Sequence, residues 1–326
     1  MDKKVRIISE ERKNHMNKKE KVFSFPSTNG INKIHAILWK QDSNYDVPKG
    51  IVQISHGMIE YIERYRELAA YLNSKGFLVV GNDHLGHGLS VSSEKDWGYF
   101  SPKNGSTYVV RDLHRLTKII KKQYPNIPYF LLGHSMGSFM ARRYIIEYGK
   151  ELNGVLLLGT GNQPIPVLIA GLSLVRIAKI IKGERYRSQW ISQLMFGQYN
   201  KRIPNATSRN DWVTSDMEIL EKYNHTKACN FLFTLNGFDV LLSTLLYIEK
   251  KEHIRKIPKK LRVLLLAGKE DPVGNYGKAV KQVYHEYKKE GIYNIKMRLF
   301  EHCRHELHNE KNRAEVYQYI AAWLDK

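Results

Sequence analysis

The sequence is poor in cysteine: Cys229 and Cys303 are the two among 326 residues. Two thiols so far apart exclude a disulfide framework and fit a reducing, cytoplasmic setting. No run approaches the roughly 18 uninterrupted apolar residues of a membrane-spanning helix. The opening stretch MDKKVRIISEERKNHMNKKEK has charge but no apolar core, so it does not read as a secretory leader. Acidic residues are also scarce, 32 against 52 Lys and Arg, for a net charge of +20. Such an excess attracts anionic partners. The lysines are dispersed, however, and no nucleic-acid-binding pattern accompanies them, so nucleic acid is not expected as a partner. Phosphate-loop signatures are missing as well. No G-K-[ST] follows Gly86 or Gly88, and no G-x-G-x-x-G opens a helix. Asp83, His84 and His87 lie in a Gly-rich loop without the further Cys, His or carboxylate ligands of a metal centre, so a turn-stabilising network is expected there. Neither cofactor nor metal is expected.

What is present is an alternation of apolar segments. Residues 1–20 read as a charged arm. Val22–Phe25 and Lys33–Trp39, separated by Thr28-Asn29-Gly30, predict an antiparallel hairpin at a sheet edge. Ile51–Ile54, Phe77–Val80, the segment entering Gly133, and Gly154–Leu158 are short and almost wholly apolar. Between them lie helical patterns such as Ile62, Tyr65, Leu68, Ala69 and Leu72. Strands that are apolar on both faces belong to a parallel sheet covered on both sides. The rhythm stops at Gly159-Thr160-Gly161. Residues 160–245 carry helical patterns and no convincing strand, and read as an inserted cap. It resumes with Leu261–Ala267, Ile295–Phe300 and a last helix, giving an α/β core over 21–159 and 246–326.

Tyr129 to Gly137 reads YFLLGHSMG: an apolar strand, a Gly-His-Ser-Met-Gly turn, and a helical pattern directly behind it. That is a nucleophile elbow with Ser135 at its tip, and the expected architecture is the α/β-hydrolase fold, a mostly parallel doubly wound sheet with the cap inserted. The N–H of Met136 would face the carbonyl oxygen under attack. A second donor belongs on the loop after an early strand, where His56-Gly57-Met58 places the N–H of Met58.

An elbow serine needs a base and an acid to orient it, each after a strand and in the order Ser, acid, His. The loop after Leu261–Ala267 reads Gly268-Lys269-Glu270-Asp271-Pro272. Asp271 is preferred over Glu270 because the Asp-Pro turn fixes its direction. After Phe300 the histidines at 302, 305 and 308 compete, and spacing alone does not separate them.

HGMIEYIERY (56–65), NDHLGHGLS (82–90), GHSMGS (133–138), AGKEDPVG (267–274) and HCRHELHNE (302–310) together resemble the monoacylglycerol lipase and lysophospholipase branch of the α/β-hydrolases, often labelled serine aminopeptidase, S33. The resemblance spans about residues 20–325. It implies Ser135 as nucleophile, Asp271 as acid and His305 as base, with Met58 and Met136 as oxyanion donors. His305 is singled out because His305-Glu306 and Asn309-Glu310 match the H-E-x-x-N-E pattern. Two departures, Tyr61 where the family commonly has His and His225-Thr226 where it has Asp-Pro, concern acyl and headgroup preference.

The expected activity is therefore hydrolysis of carboxylic esters of apolar acyl chains, of monoacylglycerol or lysophospholipid type, through an acyl-serine. One alternative is an aminopeptidase of the same fold. It would need carboxylates for a substrate ammonium, whereas residues 160–202 hold one acid, Glu184, against seven Lys and Arg. The other is a non-catalytic binding protein on a hydrolase scaffold, against which the full Ser, Asp and His set speaks. Pro166–Lys182, apolar with Arg176, Lys179 and Lys182 interleaved and Arg185 and Arg187 beyond, suits either a helix lying on an anionic membrane surface or a cap helix packed down on the core with its cations reaching water. The expected localisation is cytoplasmic, with peripheral membrane contact if the first of these two readings of the helix holds.

Overall fold

The computed structural model describes residues 19–41 and 44–326. The arm expected over 1–20 therefore lies almost wholly outside the described residues. Eight strands form one sheet: β1 (Glu20–Pro26), β2 (Lys33–Trp39), β3 (Gly50–Ser55), β4 (Phe77–Asn82), β5 (Tyr129–His134), β6 (Gly154–Leu158), β7 (Arg262–Gly268) and β8 (Ile295–Phe300). Their order across the sheet is β1-β2-β4-β3-β5-β6-β7-β8. β1 pairs antiparallel with β2, and β2 with β4; every other pairing is parallel.

The apolar strands are explained by the two layers that cover them. On one face α1 (Arg66–Ser74) and α10 (Arg313–Leu324) pack against Val52, Val79, Phe130, Leu156 and Leu264. On the other, α2 (Gly105–Gln123), α3 (Met136–Tyr148) and α9 (Lys278–Lys289) meet the alternate residues Ile51, Leu78, Leu131, Val155 and Val263. Successive strand residues point to opposite faces, so both sets must be apolar. The helix expected from Glu60 opens as a 3-10 turn over Ile62–Tyr65, because Asp83 Oδ1 accepts the Ile62 N–H at 2.8 Å and bends the chain there.

β3 pairs with β4 on one side and β5 on the other, with Ser55 beside Gly133 and Asn82. The chain reverses its direction of winding at that point, where a crevice opens beyond the carboxyl ends of the strands. The ends of β3, β5 and β7 thus bring the loops of Met58, Ser135 and Asp271 to one edge.

Between β6 and β7 the described residues contain no strand. They form α4 (Ile165–Lys182), α5 (Gln189–Phe196), α6 (Met217–His225), α7 (Leu235–Ile248) and the short α8 (Lys251–Ile254). The return boundary expected at 245 falls inside α7, which continues unbroken to Ile248. Arg142 of α3, fully buried, pairs with Glu249 at 3.0 Å and donates to the Gly161 carbonyl at 2.8 Å. One guanidinium therefore ties both ends of the excursion to the helix behind Ser135.

Candidate active site

Ser135 has φ 52° and ψ −123°, a left-handed conformation unusual for a non-glycine residue. The turn is held by its own N–H, which donates to the Leu158 carbonyl at 2.9 Å. It also requires backbone contact that only glycine permits. A Cβ on Gly137 would stand 2.0 Å from the Ser55 carbonyl oxygen, and one on Gly133 would stand 2.5 Å from that of Gly137. Strain at a single residue, enforced from both sides, marks a functional position.

Asp271, fully buried, accepts at Oδ1 from His305 Nδ1 (3.0 Å) and from the Val273 N–H (2.9 Å). A carboxylate has no proton to give, so Nδ1 carries the hydrogen and Nε2 is left as the acceptor. His305 Nε2 is buried without a hydrogen-bond partner, and the ring faces the same cavity as Ser135. His302 instead stands on the surface with its side chain 92% exposed, 3.7 Å from Glu270. His308 is buried flat against Tyr65, with ring centroids 4.3 Å apart, and neither ring nitrogen has a partner.

Met136 is the first residue of α3, where a backbone N–H has no acceptor within the helix and the dipole favours negative charge. Met58 lines the cavity beside it. Its loop is fixed by Glu60, which accepts from the Gly57 N–H, and by His56, whose Nε2 accepts from the His84 N–H at 2.9 Å. Asp83, expected to stabilise its turn, accepts from the N–H groups of Ile62 and Leu89, each at 2.8 Å.

Beneath the site lies a buried network that the sequence motifs do not reveal. Arg64 makes a fork to Glu306 at 2.5 and 2.7 Å and reaches Glu60 at 3.0 Å. Glu60 also accepts from Tyr65 and pairs with His134 at 2.8 Å. Burial alone would raise the Glu60 pKa, but the His134 and Arg64 charges win and hold it well below the carboxylate range. Burial likewise pushes His134 down, and Glu60 more than restores it, leaving it raised. The result is a rigid, internally neutralised floor connecting the Met58 loop, the elbow and the residue after His305. Ligand atoms of Glu60, His134 and His308 lie within 4.8 Å of one another, near enough for a cation. Both oxygens of Glu60 are already engaged, and the adjacent Arg64 guanidinium opposes a second positive charge.

Above Ser135 opens a cavity of about 860 Å³, toward the upper end of the roughly 300–1,000 Å³ of ligand pockets. The wall from α3, α4 and α7 is apolar, with Phe139, Leu168, Leu174, Val175, Leu242 and Leu245. The lining also carries Asn200, Arg209, Asn210, Trp212 and Tyr223, a more polar second wall. Trp212 packs on His305 at 5.0 Å between ring centroids, so this second wall stands beside the histidine.

The family model described as serine aminopeptidase, S33, matches residues 46–312. The chain belongs to that family. Within it, this α/β-hydrolase is similar to a monoglyceride lipase homolog of Monkeypox virus, 28% identical over 286 residues covering 85% of this chain and 90% of that protein. A monoacylglycerol lipase of Mycolicibacterium smegmatis is 27% identical over 207 residues, 61% of this chain and 62% of that one. Among solved structures, a thermostable carboxyl esterase from Bacillus coagulans in complex with glycerol superposes with a TM-score of 0.87. It is 30% identical and covers 94% of this chain and 98% of its own. These relatives place this α/β-hydrolase in the monoacylglycerol lipase group.

Proposed function

We propose that this carboxylic ester hydrolase cleaves esters of long apolar acyl chains, of monoacylglycerol or lysophospholipid type, through an acyl-serine intermediate. The observation that carries the reading is a strained serine and an unpartnered histidine nitrogen facing one cavity with a long apolar wall. Ser135 Oγ attacks the ester carbonyl while His305 Nε2 takes its proton. Asp271 holds the ring and stabilises the imidazolium. The N–H groups of Met58 and Met136 receive the developing oxyanion. His305 then protonates the departing alcohol, and water deacylates the serine by the same steps in reverse. An aminopeptidase would need a free carboxylate for the substrate ammonium. The two glutamates lining the cavity, Glu60 and Glu306, are both engaged by Arg64.

The test is Ser135→Ala, measured on p-nitrophenyl esters of rising chain length and on monoacylglycerol, with fluorophosphonate labelling alongside. Loss of the nucleophile should cost on the order of 10⁶ in kcat and abolish labelling. Activity within about tenfold of the parent would refute the acyl-serine route.

The cap serves as the membrane-facing side in this reading. Leu168, Leu172 and Val175 of α4 are buried, whereas Ile177, Ile180 and Ile181 are 57%, 86% and 69% exposed, and Trp190 and Leu194 of α5 are exposed as well. Part of the basic edge expected there is tied up within the protein. Arg176 and Lys179 pair with Asp239, Arg185 pairs with Asp96, and Arg187 donates to backbone carbonyls. Asp239 and Asp96 offset only part of the cations at 176, 179, 182, 185 and 187, so the exposed isoleucines lead the contact with lipid and the remaining charge adds to it. None of the described helices is long and apolar enough to cross a membrane.

A further inference from the structure

We infer that the alcohol side of the site is built for an anionic headgroup, so that the preferred substrate is a lysophospholipid bearing net negative charge on its phosphate rather than a neutral monoacylglycerol. The inference rests on the acyl-ester reading above and concerns the leaving group.

Besides His134 and the catalytic candidate His305, the ionisable side chains of Glu60, Glu306 and Arg209 line the cavity. The two glutamates are neutralised from below by Arg64 and His134, as described. Arg209 has no acidic partner among the described residues. Its one polar contact is a 3.3 Å hydrogen bond from Nη2 to Asn230 Oδ1. Asn230 is itself fixed, because its Nδ2 donates to the carbonyls of Tyr223, Asn224 and Thr226. The amide oxygen is thereby presented to the guanidinium as a neutral guide that leaves its charge uncompensated.

The backbone beneath Arg209 is equally determined. The nearest acid in sequence, Asp211, is turned away from it. Asp211 accepts from the Thr207 and Ser208 N–H groups at 2.7 and 3.0 Å and from the Ser208 hydroxyl. Asn200 closes the turn, donating to the Ser208 carbonyl at 2.7 Å and accepting from the Trp212 N–H at 2.9 Å. The turn is then fastened to the histidine loop, since the Glu306 N–H donates to the Val213 carbonyl at 2.8 Å. Arg209, an exposed residue, thus lines the cavity on the same fixed segment as Trp212, whose ring packs on His305 at 5.0 Å. The departing alcohol is assigned to that polar part of the lining.

A guanidinium matches a phosphate by charge and by its fork of N–H donors. A neutral glycerol offers it no comparable partner. A phosphocholine would bring its quaternary ammonium towards the same positive charge. The surplus of +20 over the whole chain favours the encounter with an anionic substrate in the same sense.

The experiment compares kcat/KM for lysophosphatidylglycerol, monoacylglycerol and lysophosphatidylcholine of one acyl length in neutral mixed micelles, with a soluble p-nitrophenyl ester measured in parallel. The anionic lipid should be preferred over the neutral one by about tenfold, the scale of one charge-assisted hydrogen bond. That ratio should shrink with added salt and fall close to one in Arg209→Gln, while Arg209→Lys keeps part of it. If the lipids are hydrolysed without anionic preference, or if Arg209→Gln leaves the ratio intact, the headgroup assignment is wrong and the ester reading stands. If the soluble ester and all three lipids resist hydrolysis, the ester reading fails and takes this assignment with it.

Discussion

Which of three neighbouring histidines serves as the base is decided by where each side chain ends, a matter of a few ångströms. His305 is the one whose Nδ1 meets Asp271, and its second nitrogen is left without a partner at the cavity that Ser135 also lines. His305→Ala should therefore lose activity as completely as Ser135→Ala. His302→Ala, altering an exposed side chain, should stay within about twofold of the parent. His308→Ala removes a ring stacked on Tyr65 and should lower the melting temperature while part of kcat survives. A dead His302 variant with an active His305 variant would show that the loop after β8 is shifted by one turn. At this scale the candidate serine and acid were legible from local pattern, because the elbow is a local backbone device, whereas His305 was singled out by the family resemblance alone. The floor beneath them was not legible. Arg64 and Glu306 stand 242 positions apart and Glu60 and His134 stand 74 apart, with no periodicity connecting them. The nearest signal was compositional: Glu60, Arg64 and Glu306 sit inside the same short motifs as the oxyanion loop and the base.

At the scale of elements, the apolar strands were readable because burial on both faces leaves a nearly unbroken apolar string. The cap was readable as helical patterns without a strand, with one helix legible at Pro166–Lys182. The short α5 and α6, 8 and 9 residues long, carry too few turns for their ends to be read from a pattern. A different ambiguity affects α4, whose sequence is apolar nearly all round, and only the folded chain shows which side chains turn outward. Leu174 lines the cavity, whereas Ile177 and Ile180 face solvent. Replacing these two isoleucines with serine should weaken flotation with phospholipid vesicles and spare turnover of a short soluble ester. Each full isoleucine burial is worth about 1.5–3 kcal/mol, so the double change should reduce partitioning at least tenfold. Because Asp239 and Asp96 offset part of the charge along α4 and just beyond it, moderate salt should change binding less than the substitutions do. Binding abolished by salt and indifferent to the serines would assign the contact to charge, against this reading.

Over the whole molecule, four buried histidines unused by the mechanism make folding sensitive to acid, while His134, raised by Glu60, acts in the opposite sense. Burial lowers the pKa of His56 from 6.5 to about 4 and those of His87 and His308 to about 3, and drives His84 well down. The unfolded chain takes up these protons near pH 6.5, while the folded chain resists until pH 3–4. Stability is therefore full above about 6.5 and falls as pH decreases towards 4. Asp83 also works in the opposite direction. Burial raises it from 3.8 to about 7, so the folded state retains a proton that the unfolded state releases, and acidification through that range favours folding. Asp112 and Glu249, also raised by burial, act in the same sense, with their neighbours offsetting part of the shift. Four depressed histidines outweigh these acids and His134. Below about 4.5, Glu60 and Glu306 add to the loss, since their folded pKa values are lowered and protonation breaks their pairs with Arg64. The melting temperature should thus drop steadily from pH 6.5 to pH 4. Two mechanisms predict that fall, and ionic strength separates them. Repulsion among surface charges, which grows from an already high +20, is screened over roughly 8 Å at 0.15 M salt and further at 0.5 M. Protonation of rings sealed from solvent is not. A fall that persists at 0.5 M salt supports the buried histidines as its cause; one that disappears would attribute it to net charge.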